Sequence, residues 1–301
     1  MTDIAFFRPD TDGRVIPLAA SRSLWAPGTL NGPAICALAA HACESEFGDP
    51  GFRPARFTID LFRAAREVPT GTRARLVRAG GRIQVVDVDI VQFADADDPA
   101  SEHVVARSTT VFLRESQNPP GQRWQHAGET MSVAPPSLSP DDYTPRFSSG
   151  SAAGVGVSDV GVSGAGVSTA GEWQREMSLH QNGLRKRLWT RAVSAVAGQE
   201  LTPFVRAMIS AESTSLVCNW GSSGIGFINC DLTVTLSRLP RGDRIGVEAD
   251  NHTEHDGISA STAGLYDVDG LWGFGVVTAV NNSAAEIDFT RADLQGRYRE
   301  A

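Results

Sequence analysis

The sequence predicts an α+β protein made of two similar halves, each with an antiparallel sheet packed on one long helix. Three observations lead to this prediction. The two halves repeat one another at a separation of 171 residues, and each half contains one segment with helix start and stop signals. Each of these segments is followed by runs in which apolar and polar residues alternate, as they do in half-buried strands. A single helix must bury its apolar stripe against the sheet of its own half.

The repeat is visible in identical residues and in the order of the elements. A shift of 171 residues places Asp60 on Asp231, Leu61 on Leu232, Pro69 on Pro240 and Gly71 on Gly242. The same shift superposes two helix-start residues, Asn31 and Thr202. Duplication explains this better than chance, because one register holds from the helix start to the turn after the first long strand. We therefore expect the halves to be related by a pseudo-twofold axis.

Both helices begin with a strong capping signal. Asn31 and Thr202 are each followed within two residues by proline, which is tolerated in the first turn of a helix. The first helix should cover residues 31–47 and end at Gly48, because glycine is common where helices stop. The second should cover residues 203–219.

Alternating patterns predict four long strands after each helix and one short strand before it. The predicted ranges are 14–18, 56–63, 73–79, 82–92 and 104–113 in the first half, and 184–191, 227–236, 243–248, 258–266 and 271–280 in the second. This order is that of the hotdog fold. The chain is thus predicted to be a double hotdog, with two antiparallel sheets that each wrap one long central helix.

A low-complexity stretch separates the halves. Residues 148–171 are almost entirely Ser, Gly, Ala, Val and Thr, and prolines precede them. Such a segment buries too little apolar surface to offset its ordering entropy. We predict a first domain over residues 1–125, a linker over 126–172 and a second domain over 173–301.

Composition excludes several classes of function. The 301 residues carry a formal net charge of −8, which disfavours nucleic-acid binding. The four cysteines show no metal-ligand spacing, so we expect no metal and small buried thiols in a reducing compartment. No apolar run has the length of a membrane span, and residues 1–14 do not look like a signal peptide. These features predict a cytoplasmic protein.

Several segments together resemble the acyl-CoA thioesterase II-like double-hotdog family. They are WAPG at 25–28, NGP at 31–33, RFTIDLFR at 56–63 and AGGRIQVV at 79–86. The resemblance covers about residues 20–120 and 175–282. It implies hydrolysis of an acyl-CoA thioester to a free acid and CoA, without a cofactor, and we expect a homo-oligomer that binds acyl-CoA.

The resemblance also implies a catalytic set in the second half. The family uses Asp on the second helix, Ser or Thr on the next strand, and Gln on the last strand. The matching positions here are Glu212, Asn229 and Val277. All three differ from the family, and Val277 has no polar atom.

Glu212 is a candidate general base on the evidence of its own position. It shares a helix face with Val205 and Leu216, so it should be buried against the sheet. Burial raises the pKa of a carboxyl group, which suits a base that activates water. The alternative is a carboxylate at the helix edge that pairs with an arginine such as Arg206.

Asn229 and the start of the first helix are candidates for binding the substrate. Asn229 should either orient the water or bind the thioester oxygen. Regular strand alternation places Asn229 on the face of the strand opposite to that of Leu232. A side chain that faces solvent is therefore the alternative. Backbone N–H groups near Asn31 and Gly32 would polarise the thioester carbonyl.

His41 is the first-half counterpart of Glu212 under the 171-residue shift. It is therefore a candidate for a second site, with an ordinary core or edge histidine as the alternative. His252 and His255 are predicted to lie in a solvated connection between strands. A non-catalytic acyl-CoA or acyl-carrier binding protein is the alternative function, and a hotdog hydratase is disfavoured because no Asp and His pair stands at the helix entry.

Overall fold

The computed structural model describes residues 4–94, 99–124, 131, 138–139, 142–150 and 172–291. The first-half strands are β1 (Ala5–Pro9), β2 (Val15–Pro17), β3 (Phe52–Leu61), β4 (Thr70–Ala79), β5 (Ile83–Phe93) and β6 (Glu102–Arg114). The remaining strands are β7 (Arg146–Ser149), β8 (Lys186–Arg191), β9 (Ser194–Val196), β10 (Phe227–Asn229), β11 (Asp231–Leu236), β12 (Arg244–His255), β13 (Ile258–Asp267) and β14 (Gly270–Asn281). The α-helices are α1 (Gly32–Phe47), α2 (Pro203–Ala211) and α3 (Ser213–Asn219).

Helix α1 begins and ends where the sequence predicts. The Asn31 side chain accepts a hydrogen bond from the Ala34 N–H at 2.9 Å, which satisfies one of the unpaired amides of the first turn. At the other end, the Gly48 N–H donates to the carbonyl of Glu44 at 2.8 Å. The capping chemistry of the sequence therefore sets both ends of this helix.

The second helix differs from the prediction, because it is interrupted at Glu212. Thr202 caps α2 by accepting a hydrogen bond from the Val205 N–H at 3.2 Å, as expected. At the break, the Ser215 N–H donates to the Glu212 carbonyl three residues back, at 3.1 Å. A run of Ser and Thr follows Glu212, and these side chains compete with helical hydrogen bonds. The predicted single helix is therefore two shorter ones.

The described strands form one continuous 14-stranded sheet, and the prediction of two separate sheets is corrected. Apart from β10, which pairs with β14, the order is β7-β8-β12-β13-β14-β11-β3-β6-β5-β4-β2-β1-β9. The halves join where β3 and β11 pair antiparallel, with Asp60 opposite Asp231. Those two residues correspond under the 171-residue shift, as a local twofold axis between them requires. The alternation of apolar and polar residues along one strand does not reveal which strand lies beside it, so the sequence pattern could not predict this pairing of the two halves.

The helices lie on the inner face of the sheet and share one core. Phe204 of α2 packs against Phe57 of β3 at 6.2 Å between ring centroids, and against Phe112 of β6 at 6.4 Å. The second-half helix is thus buried against first-half strands. Such contacts between the halves make them one hydrophobic unit.

The segment predicted as linker contains a buried strand. Residues Arg146–Ser149 form β7, and Phe147 pairs with Leu188 of β8. Most of the low-complexity stretch, residues 151–171, lies outside the described residues. In the described part of the chain, no helix is long and apolar enough to cross a membrane.

Candidate active site

The break between α2 and α3 places Glu212 against two other elements. Its side chain is buried, with 9% of the residue exposed. The Asn229 Nδ2 of β10 donates to Glu212 Oε1 at 3.2 Å. Arg206 does not pair with Glu212, because its guanidinium donates to the carbonyls of Gly242 and Leu201. The structure thus brings the first two sequence candidates together.

A β-bulge turns Asn229 toward Glu212. Asn229 pairs with Ala279 of β14, whereas the Cys230 N–H already donates to Thr278 one residue earlier on that strand. One extra residue therefore separates Asn229 from Leu232, and a bulge of this kind reverses which face a side chain occupies. The predicted face was wrong: Asn229 lies on the inner side with Leu232. The same irregularity leaves Cys230 exposed, contrary to the expectation of four buried thiols.

The start of α1 forms the other wall of the site. A Cβ atom on Gly32 would overlap Glu212 Oε1, so only glycine allows this close approach. Cys36, one turn further along α1, is near enough for the Glu212 charge to help raise its thiol pKa, in addition to the larger effect of burial. Asn31 is engaged elsewhere, since its Nδ2 donates to the carbonyls of Ala20 and Arg22.

Burial changes the acidity of Glu212. Loss of hydration raises its pKa from 4.5 to about 7, and the hydrogen bond from Asn229 opposes part of that rise. The N-terminus of α1 carries a partial positive charge, which favours an anion beside Gly32. A carboxyl group that titrates near neutral pH is suited to accept a proton from water.

Val277 provides no polar group to this site. It lies on β14 with its side chain fully buried, opposite Ser261 of β13. Its side chain lies on the inner face of the sheet. Its side chain neither donates nor accepts a hydrogen bond.

His41 lies away from Glu212, just past the middle of α1. It follows Gly32 by nine residues, a rise of about 13 Å along the helix. Burial lowers the pKa of His41. With Glu44, Ser45, Gln199, Glu200 and Thr202, it lines a cavity of about 190 Å³. The Thr202 hydroxyl donates to Glu44 there, so this second cavity adjoins the start of α2 as the first site adjoins the start of α1.

His252 and His255 lie in β12 and not in a loop, which corrects the prediction. The turn is shorter than expected because Asp256 and Gly257 both adopt positive φ angles, of 49° and 77°. A bulge near Asp250 turns His252 inward, where its Nδ1 lies 2.9 Å from the Ser261 hydroxyl and its Nε2 lies 3.0 Å from Glu254. No sequence pattern indicates this Ser–His–Glu contact, because a β-bulge leaves no regular signal in the order of residues.

Within the residues that the structure describes, no group of three or more His, Cys, Asp or Glu side chains is placed to hold a metal ion. The groups that the structure places at Glu212 are its own carboxylate, the Asn229 amide and the start of α1.

A known protein family matches the first half. The sequence model of the acyl-CoA thioesterase N-terminal domain matches residues 21–113. These residues are similar in sequence to that domain. The match confirms the resemblance drawn from the sequence. The matched segment includes Asn31, Gly32 and His41, whereas Glu212, Asn229 and Val277 lie beyond it. No curated protein sequence matches the chain significantly.

Solved structures share the fold over most of their length. A conserved protein of unknown function with a hot dog fold, from Alicyclobacillus acidocaldarius, is 15% identical with a TM-score of 0.58, over 90% of this chain and 94% of that one. A tesB protein from Mycobacterium avium subs. paratuberculosis is 11% identical with a TM-score of 0.54, over 91% and 95%. The acyl-CoA thioesterase II TesB2 of Mycobacterium marinum is 14% identical with a TM-score of 0.51, over 82% and 88%. The predicted hotdog fold is confirmed.

Proposed function

We propose that the protein hydrolyses acyl-CoA thioesters to a free acid and CoA, with Glu212 as the general base. The observation that carries this proposal is a buried carboxylate with a pKa of about 7, fixed between Asn229 and the first residue of α1. The similarity of residues 21–113 to the acyl-CoA thioesterase N-terminal domain supports the reaction class.

Each group at the site has a part in the proposed reaction. Glu212 takes a proton from water as the water oxygen attacks the thioester carbonyl carbon. The Gly32 N–H, the first amide of α1, has no acceptor within its own helix and would bind the developing oxyanion. The C–S bond then breaks, and the Glu212 proton passes to the leaving thiolate.

Asn229 holds the base in position. Its Nδ2 donates to Glu212 Oε1, which fixes the carboxylate. Its Oδ1 accepts no hydrogen bond from the described side chains, and we assign it to the attacking water. A carboxamide in place of the family's hydroxyl thus keeps one donor and one acceptor at this position.

The alternative function is a non-catalytic acyl-CoA or acyl-carrier binding protein. Val277 favours this alternative, because a fully buried apolar side chain stands where the family carries glutamine. In this case the chain would bind the thioester without releasing the thiol.

The proposal also covers the domain organisation and a second site. We propose a double hotdog, with domains over residues 1–125 and 173–301 joined by residues 126–172, and a second site at His41. Apolar side chains on the outer face of the second half support self-association, and they are Ile258, Phe274, Val276 and Val280. A cytoplasmic location remains a prediction from the sequence.

Thiol release from a panel of acyl-CoAs, measured beside binding by calorimetry, tests the function. Glu212→Gln should keep acyl-CoA affinity and lose about 10²–10⁴ in rate, the usual contribution of a general base. The wild-type rate should rise through a pKa of about 7 as Glu212 loses its proton. Glu44→Gln is the matched control, since it alters a half-buried helix carboxylate at the other cavity.

Three outcomes decide between the possibilities. Loss of rate in Glu212→Gln alone supports the proposal. Binding without thiol release in the wild type favours the non-catalytic alternative. Normal thiol release in Glu212→Gln, with loss in His41→Ala, would transfer catalysis to the second site.

A further inference from the structure

A tight contact between α3 and β14 closes the interior on one side of Glu212. Gly275 of β14 packs against Thr214 of α3, and a Cβ atom on Gly275 would overlap Thr214 Oγ1. Thr214 is completely buried, and so is Val277, the next inward residue of β14 on the way to the site. Helix and strand are therefore in direct contact at this point.

The strand register gives the distance from the candidate site to this contact. Asn229 pairs with Ala279 of β14, which is buried on the same inner face. Val277 and Gly275 follow on that face at steps of two residues. Because each step advances about 6.8 Å, a group that extends from the site along β14 meets Val277 after about 7 Å and the Thr214 contact after about 14 Å.

Hydrogen bonds hold α3 against the sheet. The Ser259 hydroxyl of β13 donates to Asn219 Oδ1 of α3 at 3.1 Å, and both residues are buried. The Cys218 thiol of α3 donates to the Thr262 carbonyl of β13 at 3.2 Å. A chain that entered between α3 and the sheet would separate these partners. Because buried polar groups without partners are costly, the helix resists being lifted from the sheet.

The inner face beside β14 is polar where a fatty chain would need apolar contacts. Ser259 and Ser261 of β13 are buried opposite Ala279 and Val277. Thr214 Oγ1 is also buried, and it has no hydrogen-bond partner in the described part of the chain. Pockets that bind apolar ligands are lined mainly by hydrophobic and aromatic side chains. The lining thus matches a long hydrocarbon in neither shape nor chemistry.

The two ends of a bound thioester would point in different directions from the site. With its carbonyl oxygen at the Gly32 N–H, the thioester carbon has sulfur on one side and the acyl chain on the other. CoA is large and carries phosphate groups, which are costly to bury, so the sulfur side must face solvent. The acyl chain then extends inward, toward Ala279 and Val277.

We propose that this site takes short acyl-CoAs, from acetyl to butanoyl, and that Val277 sets the limit. This substrate class rests on the proposed function. A butanoyl chain fits within one two-residue step of β14, about 6.8 Å, whereas an octanoyl chain exceeds it. The contact between Thr214 and Gly275 is the end wall behind Val277.

Calorimetry with CoA thioethers tests the length limit without any hydrolysis. The probes are CoA and its ethyl, butyl, hexyl and octyl thioethers, which contain no hydrolysable bond. The affinity should rise from CoA to butyl-CoA by about 4-fold for each methylene that becomes buried. It should stop rising, or fall, at hexyl-CoA and octyl-CoA. A steady increase through octyl-CoA would overturn the proposal.

Val277→Ala tests the wall itself, and Val276→Ala is its matched control. Removal of two methyl groups from the buried wall should strengthen hexyl-CoA binding by about 4- to 16-fold, because one or two further methylenes become buried. Val276 lies on the outer face of the same strand and is 39% exposed, so the control should stay within about twofold of the wild type. Equal hexyl-CoA affinity in all three proteins would refute the role of Val277. The wild-type series remains decisive for the length limit if Val277→Ala does not fold.

Thiol release, measured separately, distinguishes this proposal from the proposed hydrolysis. Acetyl-CoA and butanoyl-CoA should release thiol faster than octanoyl-CoA in the wild type. A wild type that prefers butyl-CoA in calorimetry but releases no thiol would contradict the hydrolysis and support the length limit. A wild type that binds none of the five probes would overturn both.

Discussion

Glu212→Gln should make the protein more stable above neutral pH while it removes the proposed base. Burial raises the pKa of Glu212 from 4.5 to about 7. Each pKa unit corresponds to about 1.4 kcal/mol, so ionising this carboxyl group in the folded protein costs about 3 kcal/mol more than in the unfolded chain. Glutamine has the same shape and carries no charge, so it avoids this cost.

The pH dependence has a definite sign. Because the folded pKa lies above the unfolded one, the native state binds more protons between pH 4.5 and about 7. The contribution of Glu212 to stability is complete below that window and is lost as pH rises through it. The variant and the wild type should therefore be similar in stability at low pH and differ by up to about 3 kcal/mol at pH 8.

Urea unfolding of both proteins at pH 5 and pH 8 measures this difference. The midpoint of Glu212→Gln should exceed that of the wild type at pH 8 at unchanged m-value, which shows that stability and not compactness has altered. Glu46→Gln is the control, because this α1 carboxylate is exposed and gains nothing from losing its charge. A Glu212→Gln variant that is no more stable than the wild type at pH 8 would refute the assignment of a desolvated carboxylate.

Three further predictions concern other positions. Gly32→Ala should displace the Glu212 carboxylate and reduce thiol release by at least about tenfold, whereas Gly81→Ala, which meets no neighbour, should not. Val277→Gln should raise thiol release by restoring the family's polar group, at a cost of about 1–3 kcal/mol in urea unfolding because the site is buried. Lys186, the only lysine, is buried and should be acylated about 100-fold more slowly in the folded protein than in urea, by peptide mass measurement.

The sequence predicted those parts of the fold that depend on local signals. The helix over 31–47 is found as Gly32–Phe47, because its cap and its stop are encoded within a few residues of each end. Apart from β12, which continues seven residues beyond its predicted end, the long strands are close to their predicted ranges, since alternation directly reflects burial of one face. Pairing between β3 and β11 is not local, so the join between the two halves could not be read from either strand.

Prediction of the site was limited by two local irregularities. Glu212 was identified from its helix face, but the break at that residue was not. The predicted face of Asn229 is wrong because strict alternation assumes no β-bulge, and the extra residue at Cys230 reverses the face of the residues before it. The predicted loop at His252 is wrong for a similar reason, since the bulge near Asp250 interrupts the alternation along β12.

These irregularities occur where the proposed chemistry needs them. An unbroken strand would turn Asn229 away from the inner face, and any residue other than glycine at position 32 would displace Glu212 Oε1. The break in the helix, the bulge and the glycine each weaken a regular element, yet all three meet at one carboxylate whose ionisation also costs stability. Departures of this kind from local rules concentrate at functional sites. That convergence favours a catalytic reading of Glu212 over a structural one, because a carboxylate that served only packing would be replaced with a gain in stability by glutamine.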